Sequence, residues 1–230
     1  MAQSETETAQ RYLDAARASV DHALQSMRKL RDVRREEEGK GAAGRISDAD
    51  MDLLRTAIVF AGAGLDATVK QLIRDALPSV ARTSEEAESK FRDFVEQRIR
   101  RGGEGLDHRM LVGVLASDAQ SPRDALLELY VEELTGGSLQ SIDEVDRVCG
   151  ALGITDADLR KRVKDRNGKL RELFVARNEI VHELDLQGPD DPGNRSRRER
   201  RIKHTEDLVN EALAVGQDII NAVGKELSSR

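Results

Sequence analysis

In the stretch "RNEIVHELD" (177–185), Arg177, Asn178 and His182 are the residues whose types and spacing bear most directly on chemistry. A histidine moves protons near neutral pH, so it serves as a general acid or base. An arginine is always charged and grips phosphate oxygens with a fork of N–H donors. It can therefore stabilise the extra charge of a pentacoordinate phosphoryl transition state. The amide of Asn178 is suited to orienting the imidazole or the nucleophile. Such a set suits phosphate chemistry, and none of these roles needs a metal or a cofactor.

Read as a helix, this segment surrounds Arg177 with apolar residues. Leu170, Leu173 and Phe174 lie one to two turns before it, and Ile180, Val181 and Leu184 one to two turns after it. This pattern places the arginine on a buried seam, where an unpaired guanidinium is costly. Either it snorkels outward from the edge of the stripe, or the seam faces a functional cleft. His182 stands roughly 140° around the helix from Arg177 at 100° per residue. It shares a face with Asn178, four residues earlier. One helix does not aim the arginine and the histidine at one point, whereas a second copy packed antiparallel across a two-fold axis would.

The rest of the chain must position this segment. Apolar residues recur at helical spacing from about 9 to 35 (Leu13, Ala16, Val20, Ala23, Met27, Leu30), followed by "RREEEGKGAAGR", which reads as a flexible connection. A second helix, capped by Ser47 or Asp48, carries a stripe from Leu53 to Leu72 and is expected to end at Pro78. Shorter helices are expected over 84–101, 106–118, 121–135 and 141–151, then a long one from about Asp156 to Leu186. "SRRE" (196–199) fits a Ser-x-x-Glu capping box that would open a last helix reaching Leu227. No stretch alternates with period two. The expected fold is all-α: residues 1–45 form an N-terminal helix and connection, and 46–230 a single helical bundle.

Composition narrows the function classes. The 230 residues carry a net charge of −6, which argues against nucleic-acid binding by the whole surface and leaves only a local basic patch. A lone cysteine, Cys149, excludes an internal disulfide and any thiolate-built zinc or iron–sulfur centre. The polar, acidic start "MAQSETETAQ" is unlike a signal peptide, and a cytoplasmic protein without a membrane segment is expected. Two motifs mislead. "GAGLDA" (62–67) echoes a dinucleotide loop but lies inside a helical stripe, where Ala57, Ala61 and Gly64 let another helix approach. "HELD" lacks the second histidine of a zinc-protease helix, and His22, His108 and His204 are scattered singly, so no metal site is expected.

The spacing Arg-Asn-x-x-x-His resembles the Arg-x4–6-His signature of the HEPN superfamily (higher eukaryotes and prokaryotes nucleotide-binding domains). "AIVFAGAGLDATVKQLI", "LTGGSLQSIDEVDRVCGALGI" and "LRELFVARNEIVHEL" resemble, in that order, three blocks of its RiboL-PSP-HEPN-like prokaryotic group. The likeness spans about residues 50 to 225. It implies a helical bundle that dimerises through the motif helices, with Arg177, Asn178 and His182 in a composite cleft. It further implies a metal-independent endoribonuclease in which the 2′-hydroxyl attacks the adjacent phosphodiester, leaving a 2′,3′-cyclic phosphate. Active members act as toxins or phage-defence effectors, so a cognate antitoxin or regulatory protein is an implied partner. Other members have lost catalysis and bind nucleotides, RNA or proteins.

RNA would lie on two basic clusters. Arg160, Lys161 and Lys164 precede the motif on what reads as the same helix, and Arg197, Arg198 and Arg201 follow the loop "QGPDDPGN". Packed side by side they would form a positive rim for phosphates. The alternative is a solvated face, ordinary in a chain with 35% charged residues. Phe91, Phe94 and Tyr130 are expected in the core, which leaves few aromatics for base stacking. A DNA-binding regulator is a third reading, but no helix-turn-helix signature supports it.

Overall fold

The structure, a computed structural model, describes residues 2–38, 46–100, 113, 121–191 and 196–228. Among these, eight helices form an all-α bundle: α1 (Ala2–Glu38), α2 (Asp48–Thr83), α3 (Glu85–Arg100), α4 (Pro122–Gly136), α5 (Ile142–Ala151), α6 (Ala157–Val163), α7 (Lys169–Glu183) and α8 (Ile202–Ser228). The helix expected over 106–118 lies, apart from Gly113, outside the described residues, as does His108.

The central element is α2. Ser47 opens it with a complete capping box: its hydroxyl accepts from the Asp50 N–H, and the Asp50 carboxylate accepts from the Ser47 N–H. Leu54, Ile58, Leu65, Val69, Leu72 and Ile73 are fully buried, and α1, α7 and α8 all pack on this helix. By length and composition α2 is apolar enough to cross a membrane, yet here its stripe is the core of the bundle. It also runs through Pro78 to Thr83, against the expected stop. Leu77 just before the proline and Val80 and Ala81 beyond it are buried, and their packing holds the extra turn despite the missing donor.

The first helix is part of this core. Ala9, Leu13, Ala16, Val20 and Met27 are buried along α2 and α8. The small-residue reading of "GAGLDA" holds: a Cβ added at Gly64 would sit 2.1 Å from the Ala16 Cβ. Neither atom can rotate away, so Gly64→Ala must push the two helices apart. It should cost about 1–3 kcal/mol, read as a lower urea midpoint with an unchanged slope.

An ion pair also ties α1 to α2. Asp50 is fully buried and receives the guanidinium of Arg34. Burial works to raise the Asp50 pKa, but hydrogen bonds from Arg34 and Ser47 outweigh it, and the net shift is downward from 3.8. This contribution is therefore complete above the unfolded value and is lost as the pH falls through the lower folded one.

Two other boundaries depart from expectation. The segment read as one helix from Asp156 to Leu186 is two, α6 and α7, separated by a turn over 164–168. The Asp165 carboxylate accepts from the Asn167 N–H at 2.9 Å, and the Asp165 carbonyl accepts from the Gly168 N–H at 3.0 Å. The Ser196-x-x-Glu199 box does not open the last helix, which starts at Ile202. Residues 196–200 instead run extended against the chain after α7. Gln187 N–H donates to the Ser196 carbonyl at 2.8 Å, Arg198 N–H donates to the Asp185 carbonyl at 2.7 Å, and Leu186 bridges Arg197 antiparallel. These bonds, with the side-chain anchors of Arg197, Arg198 and Arg200, outcompete the cap.

Candidate active site

The first half of α7 is driven onto the bundle by Leu170, Leu173, Phe174 and Ala176, all buried against α2 and α8. Its second half is not covered. Ile180 is only partly buried, Val181 is 43% exposed and Leu184 is 71% exposed. The seam around Arg177 is therefore apolar but open along one half, which corrects the expectation of a buried arginine. Arg177 is half-buried. Its stem packs on α2, with Cγ 3.3 Å from where a Cβ on Gly62 would stand. The small residue at 62 is thus what admits the arginine between the helices.

Arg177 Nη1 donates to Asn178 Oδ1 at 3.1 Å, so the two residues form one polar unit. His182 is exposed in the last turn, four residues after Asn178, and no hydrogen bond or ion pair reaches its ring among the described residues. The three candidates thus share the second half of α7 but not one face of it: Arg177 is fixed to Asn178 on the α2 side, and His182, well around the helix from the arginine, is exposed. Between α2 and the end of α7 lies a cavity of about 600 Å³, lined by Val59, Phe60, Ile180 and Leu184 together with Asp52, Arg55 and Arg197; none of the three candidates lines it. Phe60 is 45% exposed, so the open faces of both helices join into one apolar strip.

What holds the end of α7 was not visible in the sequence. Leu184 and Asp185 both adopt left-handed backbone, with φ of 51° and 61°. Such consecutive non-glycine residues are strained, at roughly 1–3 kcal/mol each, and need an over-determined surround. Asp185 supplies it. Its carboxylate, fully buried, accepts from Arg55 Nε at 2.7 Å and from Arg200 through two bonds, one to each oxygen. Arg200 Nη2 also reaches Glu179 at 2.8 Å. Burial lowers the Arg200 pKa, but the bonds to Asp185 and Glu179 outweigh it and the net shift is upward. The clasp joins α2, the last turn of α7 and the segment before α8, and it sets where His182 sits. The one available signal was Arg55, a charge beside the apolar positions Leu54, Ala57 and Ile58.

Leu184 offers a test of that strain. Glycine adopts φ > 0 without penalty, and Leu184 buries little. Leu184→Gly should therefore raise stability by about 1 kcal/mol, measured by urea unfolding.

The six basic candidates are mostly committed elsewhere. Arg160 lies on α6 and Lys164 caps its end, neither on the motif helix, and they approach Asp146 at 2.8 and 3.5 Å. Arg197 pairs with Asp52, and Arg198 with Glu183 at 3.2 Å and Glu179 at 3.4 Å. Lys161 and Arg201 are exposed without a partner among the described residues. The first cluster is held by α5 and the second by the start of α2 and the end of α7. Phe91, Phe94 and Tyr130 are buried, as expected. No group of three or more metal-ligating side chains occurs among the described residues. Burial pushes the Cys149 thiol up to about 12, which leaves it unsuited to nucleophilic work.

No protein-family model matches the chain, and no curated protein or solved structure shows a significant likeness to it.

Proposed function

We propose that the protein is a metal-independent endoribonuclease of HEPN type, working in the cytoplasm as a toxin or phage-defence effector. The observation that carries the reading is the surface of α7. A fixed Arg177–Asn178 unit and a His182 without a partner among the described residues stand on the same helix half as exposed Val181 and Leu184, which continue into the apolar strip around Phe60. A second copy of the chain, laid across that strip on a two-fold axis, would bury Phe60, Val181 and Leu184. It would also bring a second arginine and histidine to the same cleft. There His182 takes the proton of the attacking 2′-hydroxyl or protonates the leaving 5′-oxygen, and Arg177 neutralises the phosphorane oxygens. Asn178 holds the guanidinium in place. Of the six basic candidates, Arg201 and Lys161 are the ones free to meet RNA phosphates, since they have no carboxylate partner among the described residues. Arg197 and Arg198 would have to leave theirs.

The purified protein should cut single-stranded RNA in EDTA, and Phe60→Asp should reduce both dimer formation, read by light scattering, and cleavage. A wild type that leaves RNA intact would favour a second reading: a non-catalytic module of the same type that binds RNA, nucleotide or a partner protein along the strip. Among the described residues no group of the same chain orients the His182 ring, and that is the observation on that side.

A further inference from the structure

We propose that the cleft between α3, α4, α5 and α6 binds a small phosphate-bearing molecule, in a second site that shares no residue with the Arg177–His182 face. The cleft encloses about 460 Å³, within the range of small-molecule sites. Four cations from three helices line it: Lys90, Arg147, Arg160 and Lys164. Three carboxylates, Asp93, Glu133 and Asp146, line it too, and Glu133 is already held from outside by Arg98 at 2.7 Å.

The unusual feature is how poorly these charges meet. Lys90 stands 3.8 Å from Glu86 and 4.0 Å from Asp93, Arg147 stands 3.8 Å from Glu133, and Lys164 stands 3.5 Å from Asp146. All four distances exceed a good charge-assisted hydrogen bond, about 2.7–2.9 Å. Elsewhere among the described residues only the outlying Arg166–Asp143 pair is as loose, at 3.8 Å. Arg160 Nη2 does come within 2.8 Å of Asp146 Oδ1, but without hydrogen-bonding geometry: that oxygen and Arg160 Nε are both buried and without a hydrogen-bond partner among the described residues. The Tyr130 hydroxyl also has no hydrogen-bond partner among the described residues, and burial pushes its pKa up to about 12, so it remains a donor.

Gly150 explains how the cations converge. A Cβ there would stand 3.4 Å from Arg160 Nη1 and 3.6 Å from Lys90 Cε, so both side chains close over the same bare backbone. A phosphate in that space would take donors from Arg160, Lys90 and Lys164, with Arg147 at the rim. The rings of Phe94 and Tyr130, stacked at 4.6 Å, and Leu134 form an apolar wall for an organic group attached to it. A phosphate monoester and free phosphate share the recognising chemistry.

Titration calorimetry on the full chain, with inorganic phosphate, adenosine monophosphate and adenosine as separate probes, decides the matter. Phosphate and the monophosphate should bind one to one, weakening with salt, while adenosine should not bind. A tighter monophosphate identifies an ester as the ligand, and equal affinities identify free phosphate. The double variant Arg147→Gln/Lys164→Gln changes side chains that are 54% and 57% exposed, so it spares the fold. It should weaken binding at least about tenfold, the scale of losing two charge-assisted contacts. Arg166→Gln, at an equally loose but outlying pair, should not change it. Absence of binding by both phosphate probes at millimolar concentration would overturn the proposal, as would affinities in the double variant within twofold of wild type. Retention of binding in His182→Ala is expected whether or not α7 carries a ribonuclease site. Its loss there would place the ligand on α7 and end the proposal.

Discussion

His182→Ala should abolish RNA cleavage, a loss of at least about a thousandfold if the histidine is the proton-transfer group and the product-forming step depends on it. The fold should not follow. His182 is exposed and without a partner among the described residues, so alanine removes no buried contact and adds helix propensity. Arg177→Ala should also abolish cleavage, but its stability effect differs from that expected of a buried guanidinium. The stem of Arg177 packs over Gly62 while its head meets Asn178, so truncation loses packing and a hydrogen bond. Alanine's higher helix propensity and the removal of a half-buried charge offset these losses in part, so a change within about 1 kcal/mol of zero is expected. Circular dichroism melts run beside the activity assay separate the two effects. Inactive but normally melting variants fit a catalytic role, and a His182→Ala protein that unfolds early does not.

Asp185→Asn carries the largest expected cost in stability. Asparagine fits the cavity and tolerates left-handed backbone, so the turn after α7 is not itself disturbed. The loss is of charge alone, and it leaves Arg55, 6% exposed, and Arg200 facing a neutral amide in a buried site. Removing one partner of such a buried cluster costs about 3–5 kcal/mol. The urea midpoint should fall by the corresponding amount. Because the clasp fixes the last turn of α7, hydrogen exchange there should accelerate more than in α1 or α8. A midpoint within about 0.5 kcal/mol of wild type would mean the clasp is not what holds that turn.

Local signals made much of the fold legible. Ser47, one of two cap candidates with Asp48, marked the start of α2, and the stripe from Leu53 to Leu72 marked its inner face. The failures share a physical cause: they depended on neighbours distant in sequence. Pro78 would stop an isolated helix, but buried Leu77 and Val80 carry α2 onward. "SRRE" would cap a free helix, but the backbone of Asp185 and Gln187 claims that segment first. The break at 164–168 did have a local signal, the Asn167–Gly168 pair, overshadowed by the flanking Lys and Arg residues.

The site was legible in part for the same reason. Arg177, Asn178 and His182 lie on one helix, so spacing alone places Asn178 and His182 on one face and Arg177 on the adjoining seam. Whether Arg177 is covered depends on Gly62, more than a hundred residues earlier, and the position of His182 depends on Arg55 meeting Asp185. Helical periodicity carries no information on either contact.

The central claim is that α7 carries a metal-independent ribonuclease site, and the ends of the RNA it cuts test that most directly. A short single-stranded RNA is incubated with the full chain in excess EDTA, and the fragments are weighed by mass spectrometry. The account predicts fragments ending in a 2′,3′-cyclic phosphate paired with 5′-hydroxyl fragments. It also predicts no cut where a 2′-O-methyl group replaces the attacking hydroxyl. Intact RNA in EDTA with cleavage restored by Mg²⁺, or fragments ending in a 3′-hydroxyl, would contradict it.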